Sequence, residues 1–163
     1  MQGLDELYRE VILDHYRDPH GADAIEDPTV QAEGFNPLCG DEVRLQLSIE
    51  DGHVAQVSIA PSGCAISVAS ASMLAQQIQG KPIPEALRLE QVFRNVMRGS
   101  TWPPGEDFGD LEALEGVKNF PVRIKCALLA WMTFEQAVAQ YDPEFTGTIE
   151  PDEDIEVQTS SGG

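Results

Sequence analysis

The sequence predicts a mixed helix-and-strand domain, on three observations. An amphipathic helical run opens the chain, a single clear β-hairpin follows it, and three further helical stretches come after the hairpin. A length of 163 residues suits one compact domain with a tail, and 42% hydrophobic residues are enough for an ordinary core.

Leu4, Leu7, Tyr8, Val11, Ile12 and His15 recur at i, i+3, i+4, i+7, i+8 and i+11, one stripe of a first helix that Pro19 and Gly21 end. His15 closes that stripe and reads as a core-edge histidine; His20, in the turn, and His53 read as solvated. A polar stretch continues to about Glu33. Val43, Leu45, Leu47 and Ile49 then alternate with Arg44, Gln46, Ser48 and Glu50, the period of a half-buried strand. Asp51-Gly52 is a tight-turn signal, and 54–59 reads as the returning strand. Cys39 and Asp41 stand at the mouth of this hairpin and Cys64 just beyond its other end, so the turn carries them to one side of the sheet.

A helix with a thin face of Ser and Ala is expected over 65–79, with Cys64 at its N-terminus, where backbone N–H groups favour a thiolate. A third helix is expected from Pro84 to Arg98, followed by a loop from Gly99 to Gly109 that holds Pro103-Pro104-Gly105. The last helix, Pro121 to Tyr141, is apolar nearly all round and therefore reads as buried. Cys126 lies in its first turns, and Arg123, three residues earlier, projects to nearly the same face. The chain divides into a domain over 1–141 and an acidic tail over 142–163 that reads as disordered.

The net charge of −18 argues against nucleic acid, whose phosphates need a basic surface. Seven acids fall after Tyr141 with no Lys or Arg beside them, so the rest of the chain is acidic too. Such a surface is solvated, or attracts a partner with a basic face. Met1 to Glu6 hold neither a basic cluster nor an apolar run, and no stretch is long enough to cross a bilayer, so a soluble cytoplasmic protein is expected.

Three cysteines cannot all pair within one chain, and a reducing compartment disfavours disulfides. Each could be a buried structural thiol. Together, Cys39, Cys64, Cys126 and the carboxylate of Asp41 make four donors suited to tetrahedral zinc. The same thiols could hold an iron–sulfur cluster, which more often takes a fourth cysteine or a histidine.

Three segments carry a family resemblance: Asn36-Pro37-Leu38-Cys39-Gly40-Asp41; Gly63-Cys64-Ala65 running on to Met73; and Arg123-Ile124-Lys125-Cys126-Ala127 running on to Trp131. With Asp14-His15-Tyr16 they resemble the IscU-like family of iron–sulfur assembly proteins, over nearly everything from Leu4 to Tyr141. Lys125 stands where scaffold-type members carry a histidine. Phe120-Pro121-Val122-Arg123 replaces their Leu-Pro-Pro-Val-Lys stretch, and 96–119 looks like an added segment. On these points the chain resembles the SufU branch.

The resemblance implies an α+β fold, a small antiparallel sheet packed by helices. It implies zinc on Cys39, Asp41, Cys64 and Cys126, and sulfur transfer from a PLP-dependent cysteine desulfurase of the SufS type toward a downstream iron–sulfur scaffold. Cys39 is then the acceptor, with Cys126 the second choice, and Arg123 compensates the charge of a displaced thiolate. The alternative is an IscU-type scaffold that assembles a cluster and hands it on.

Overall fold

The alternation in the hairpin is realised as a sheet with one covered face. The computed structural model describes residues 2–146 and 155–161, with side chains from Tyr8 onward. Strands β1 (Val30–Asn36), β2 (Asp41–Glu50), β3 (His53–Ser62) and β4 (Glu156–Ser161) form one antiparallel sheet in the order β3-β2-β1-β4. Val43, Leu45, Leu47 and Ile49 all point inward, and Asp51 and Gly52 both take positive φ (51° and 74°). That pair of left-handed residues is what a two-residue hairpin turn requires, since its twist matches that of the flanking strands.

Helices α1 (Gln2–Arg17), α2 (Ala65–Ile78), α3 (Ile83–Met97) and α4 (Pro121–Tyr141) fall within a residue or two of their expected bounds. The side chains of Leu4 and Leu7 lie outside the described residues; Tyr8, Val11 and Ile12 pack against the core. α2 and α4 cover the sheet, α1 packs on α2, and α3 packs on α4. At the centre the fully buried rings of Phe93 and Trp131 lie 5.3 Å apart between centroids.

The thin face of α2 lets it approach α4 closely. Ser70 Oγ–H donates to the Ala127 carbonyl (2.5 Å) and accepts from Trp131 Nε1–H (3.1 Å), so a dry helix interface keeps its polar atoms paired. Gly34 plays the same part between α4 and the sheet. A Cβ there would overlap the Thr133 hydroxyl, so a larger residue would push the helix off β1.

His15 is buried, as its place on the stripe implies, and ties three elements together. Its Nε2–H donates to Asp110 at 2.8 Å, and its Nδ1 accepts from the Ser72 hydroxyl at 2.6 Å. Asp110 accepts only, which sets that tautomer. The hydrogen bond from His15 is the main cause holding the Asp110 carboxyl below its ordinary range.

Two expectations are corrected, and one segment without an expected structure is filled. The polar stretch before Glu33 ends in strand β1, whose inward positions are Val30, Ala32 and Gly34. Their small size hid the alternation. The segment between the expected loop and α4 is a 3-10 helix, Gly109–Asn119, burying Leu111, Ala113, Leu114 and Val117. The acidic tail is not disordered where it is described: Pro143–Phe145 forms a 3-10 turn and β4 pairs with β1. Ile155 and Val157 turn toward the core while Glu156 and Gln158 face out, a short period-2 pattern masked by the acids before it. The sheet therefore extends past the boundary expected at residue 141, and 147–154 and 162–163 lie outside the described residues.

Candidate metal centre

The β1–β2 connection is a tight turn built by Asn36. Its carbonyl accepts from the N–H groups of Cys39 (3.3 Å) and Gly40 (2.8 Å), and its side-chain oxygen accepts from Leu38 N–H (3.2 Å). Asn36 is fully buried, so the turn is anchored in the core while Cys39 at its tip is exposed. Two residues on, Asp41 opens β2 with its side chain inside, only 1% exposed.

Cys64 is the N-cap residue of α2 and is half-buried. Its backbone N–H donates to Asp41 Oδ1 at 3.0 Å, and its Sγ lies 3.8 Å from Asp41 Oδ2. The preceding Gly63 has φ of 145°, and a Cβ on it would collide with the Asp41 carboxylate. Glycine is required there on both counts. Cys126 sits in the second turn of α4, fully buried, its Sγ 3.9 Å from the Val122 carbonyl.

One donor atom each from Cys39, Asp41 and Cys126 lies within 4.8 Å of the other two. Cys64 stands outside that trio and joins it through Asp41. Tetrahedral zinc with Zn–S of about 2.3 Å puts its donors about 3.8 Å apart. Donors within 4.8 Å of one another need to close by at most about 1 Å to meet that spacing.

Electrostatics points the same way. Burial pushes the Cys126 thiol above the ordinary thiol range, and its hydrogen bond with Asp41 and the charge of Cys64 add to that. Acidic groups crowded into a dry corner ionise together only if a cation joins them. Arg123 lies against this corner. Its pKa is raised, first by its hydrogen bond with Cys126 and then by the charges of Cys64 and Cys126. The donor set, its burial and its mutual repulsion all fit a thiophilic divalent ion.

The structure thus brings the donor atoms of Cys39, Asp41 and Cys126 together, leaves Cys64 outside that trio but hydrogen-bonded through its N–H to Asp41, and sets Arg123 against two of the thiols. Sequence reasoning did not assign roles to Asn36 or Gly63. Asn-Pro is a turn signal, which hinted at the first; the approach of Asp41 to Gly63 is a tertiary contact with no local signature.

This sequence, folded as a sheet flanked by helices, is similar to the NifU-like N-terminal domain. That family's profile matches residues 7–148, and the chain belongs to the family. Its relatives include the zinc-dependent sulfurtransferase SufU of Bacillus subtilis (strain 168), 44% identical over 137 residues, which are 84% of this chain and 92% of that one. The iron–sulfur cluster assembly scaffold protein IscU of Streptococcus pyogenes serotype M1 is 36% identical over 83% of this chain and 84% of its own. Among solved structures, a protein of Fervidobacterium islandicum AW-1, described as a candidate iron–sulfur cluster assembly scaffold for the SUF system, superposes with a TM-score of 0.72. It is 37% identical and matches 79% of this chain and 94% of its own. Among the described residues no helix is long and apolar enough to cross a membrane.

Proposed function

We propose that the chain is a zinc-dependent sulfur acceptor, which takes persulfide sulfur from a PLP-dependent cysteine desulfurase and passes it on for iron–sulfur cluster assembly. The observation that carries this reading is the convergence of Cys39, Asp41 and Cys126 donor atoms within 4.8 Å, with Cys39 exposed and Arg123 beside the two inner thiols. The name of the Bacillus subtilis relative supports zinc and sulfur transfer. Cys39, Asp41, Cys64 and Cys126 would hold the ion, which keeps thiols deprotonated and guards them from oxidation.

Cys39 is the acceptor because it alone of the three thiols is exposed, on a turn rather than in a helix. Its thiolate attacks the outer sulfur of the donor's persulfide. A new S–S bond forms at Cys39, the donor's S–S bond breaks, and the donor cysteine leaves as its thiolate, so no external oxidant or reductant is needed. Arg123, against the thiols of Cys64 and Cys126, balances negative charge in the site during the exchange. The cytoplasm, which keeps thiols reduced, suits this chemistry.

The scaffold reading is favoured by the names of two relatives, the Streptococcus pyogenes scaffold protein at 36% identity and the Fervidobacterium islandicum protein at 37%. Two measurements separate the readings. Protein purified without added metal is expected to hold stoichiometric zinc; substantial iron with acid-labile sulfide and little zinc supports the scaffold instead. After a single turnover with desulfurase and cysteine, mass spectrometry is expected to find the Cys39 peptide one sulfur heavier. Sulfur on Cys126 with Cys39 unmodified would reject the assignment.

A further inference from the structure

Between α1 and the 3-10 helix Gly109–Asn119 runs a groove of about 550 Å3 that reaches Arg123, the residue against the Cys64 and Cys126 thiols. Its walls are apolar: Tyr8, Ile12 and Leu13 from α1, Ile66 from α2, and Val117 and Phe120 from the far side. Phe120 is 62% exposed, and Val122 beside it is 66% exposed. Water-facing apolar side chains grouped in this way mark a surface that another molecule covers.

The charges around the groove run against those of the whole chain. The sequence has 28 acids and ten Lys or Arg, yet three of those ten, Arg9, Lys118 and Arg123, line this groove. Glu115 is the only acid among its described lining residues, and it lies 3.6 Å from Lys118. A partner segment bearing carboxylates meets attraction here and repulsion over most of the remaining surface. Arg123 belongs both to the groove and to the thiol site, and Ile66 lies two residues past Cys64. Whatever fills the groove is thereby held beside the reacting thiols.

We propose that this groove seats a segment of the sulfur-donating protein, consisting of one or two large apolar side chains flanked by carboxylates. The proposal rests on the sulfur-acceptor reading above. The apolar walls supply affinity and the basic rim sets orientation, so the donor is anchored by a surface next to the thiols rather than by the thiols alone.

The test titrates desulfurase turnover with the full chain: unaltered, Lys118→Glu, Phe120→Ser, and Arg44→Glu as a charge control on the exposed face of β2. Melting curves and metal content check that each protein is folded and loaded, and Arg9→Glu, at an exposed position, replaces either groove variant that melts early. The half-saturating concentration is expected to rise roughly tenfold for Lys118→Glu and for Phe120→Ser, with maximal turnover kept and Arg44→Glu unchanged. Half-saturation unchanged in both groove variants, or a lower maximum at unchanged half-saturation, overturns the groove assignment alone. An unaltered chain that never stimulates the desulfurase overturns the sulfur-acceptor reading together with it.

Discussion

Asp41 divides its carboxylate between two tasks. Oδ1 accepts the Cys64 N–H, fixing the start of α2, while Oδ2 faces the sulfurs. Two substitutions separate these tasks. Asp41→Asn keeps a carbonyl oxygen for the Cys64 N–H but loses the charge, so its melting point is expected near that of the unaltered protein and its zinc affinity about tenfold or more weaker. Asp41→Ala loses both, and its metal-free form is expected to be a further 1–2 kcal/mol or so less stable, since the Cys64 N–H is left without its partner. Competition for zinc against a chromophoric chelator, with thermal melts of the metal-free proteins, measures both effects; equal zinc affinity in Asp41→Asn contradicts the ligand assignment. At this scale the sequence was most legible. Cysteines and an aspartate have chemistry that announces itself, and the segments holding them resembled a known family. Gly63 and Asn36 are bound to the same site by close approach, which only the folded chain displays.

The four helices and the β2–β3 hairpin were legible because each repeats its pattern over several turns or four alternations. The 3-10 helix and strands β1 and β4 were not, being short or presenting small inward residues. Nor did the sequence suggest how α3 meets α4. There Glu90 is fully buried, its Oε1 3.0 Å from Arg94 Nη2, which also lies 3.3 Å from Glu135 Oε1. Burial, and then the charge of Glu135, push the Glu90 carboxyl up to about 8, against the pull of Arg94 and Arg98. An unfolded glutamate ionises near 4.3, so between about pH 5 and pH 8 the folded chain holds a proton that the unfolded chain has released. This contribution is favourable below that window and is lost as pH rises through it. Glu90→Gln, which keeps the shape without the titration, is expected to lose less stability than the unaltered protein between pH 5.5 and 8. A difference of about 2 kcal/mol corresponds to roughly 5 °C in melting temperature. Parallel melting profiles for the two proteins would show that Glu90 does not titrate there.

For the molecule as a whole, the mixed class of fold could be read in advance and the strand order could not. Adjacent β2 and β3 declare their pairing through a two-residue turn, whereas β1 and β4 pair Val30 with Ser161 and Phe35 with Glu156, far apart in the chain. Their pairing leaves no local trace. It also changes what the acidic segment does: by lying along β1, β4 occupies an edge whose N–H and C=O groups would otherwise template another chain. Removing 142–163 is therefore expected to lower the melting temperature and promote self-association, with zinc content unchanged because the four proposed donors lie between Cys39 and Cys126. Calorimetry, light scattering and metal analysis report these; a truncated protein that melts like the full chain and stays monomeric shows the edge to be dispensable.

That same pairing has a consequence in time. Joining Phe35 to Glu156 and Val30 to Ser161 closes the longest loops in the sheet, and such closures come late because their entropy is lost before any contact compensates. The thiol site needs only the earlier elements, so a refolding chain can gather its sulfurs while the β1 edge is still open. The truncated protein is then expected to refold as fast as the full chain and to unfold faster in stopped-flow measurements, with β4 working as a latch on the finished molecule; slower refolding of the truncated protein would place β4 before the transition state.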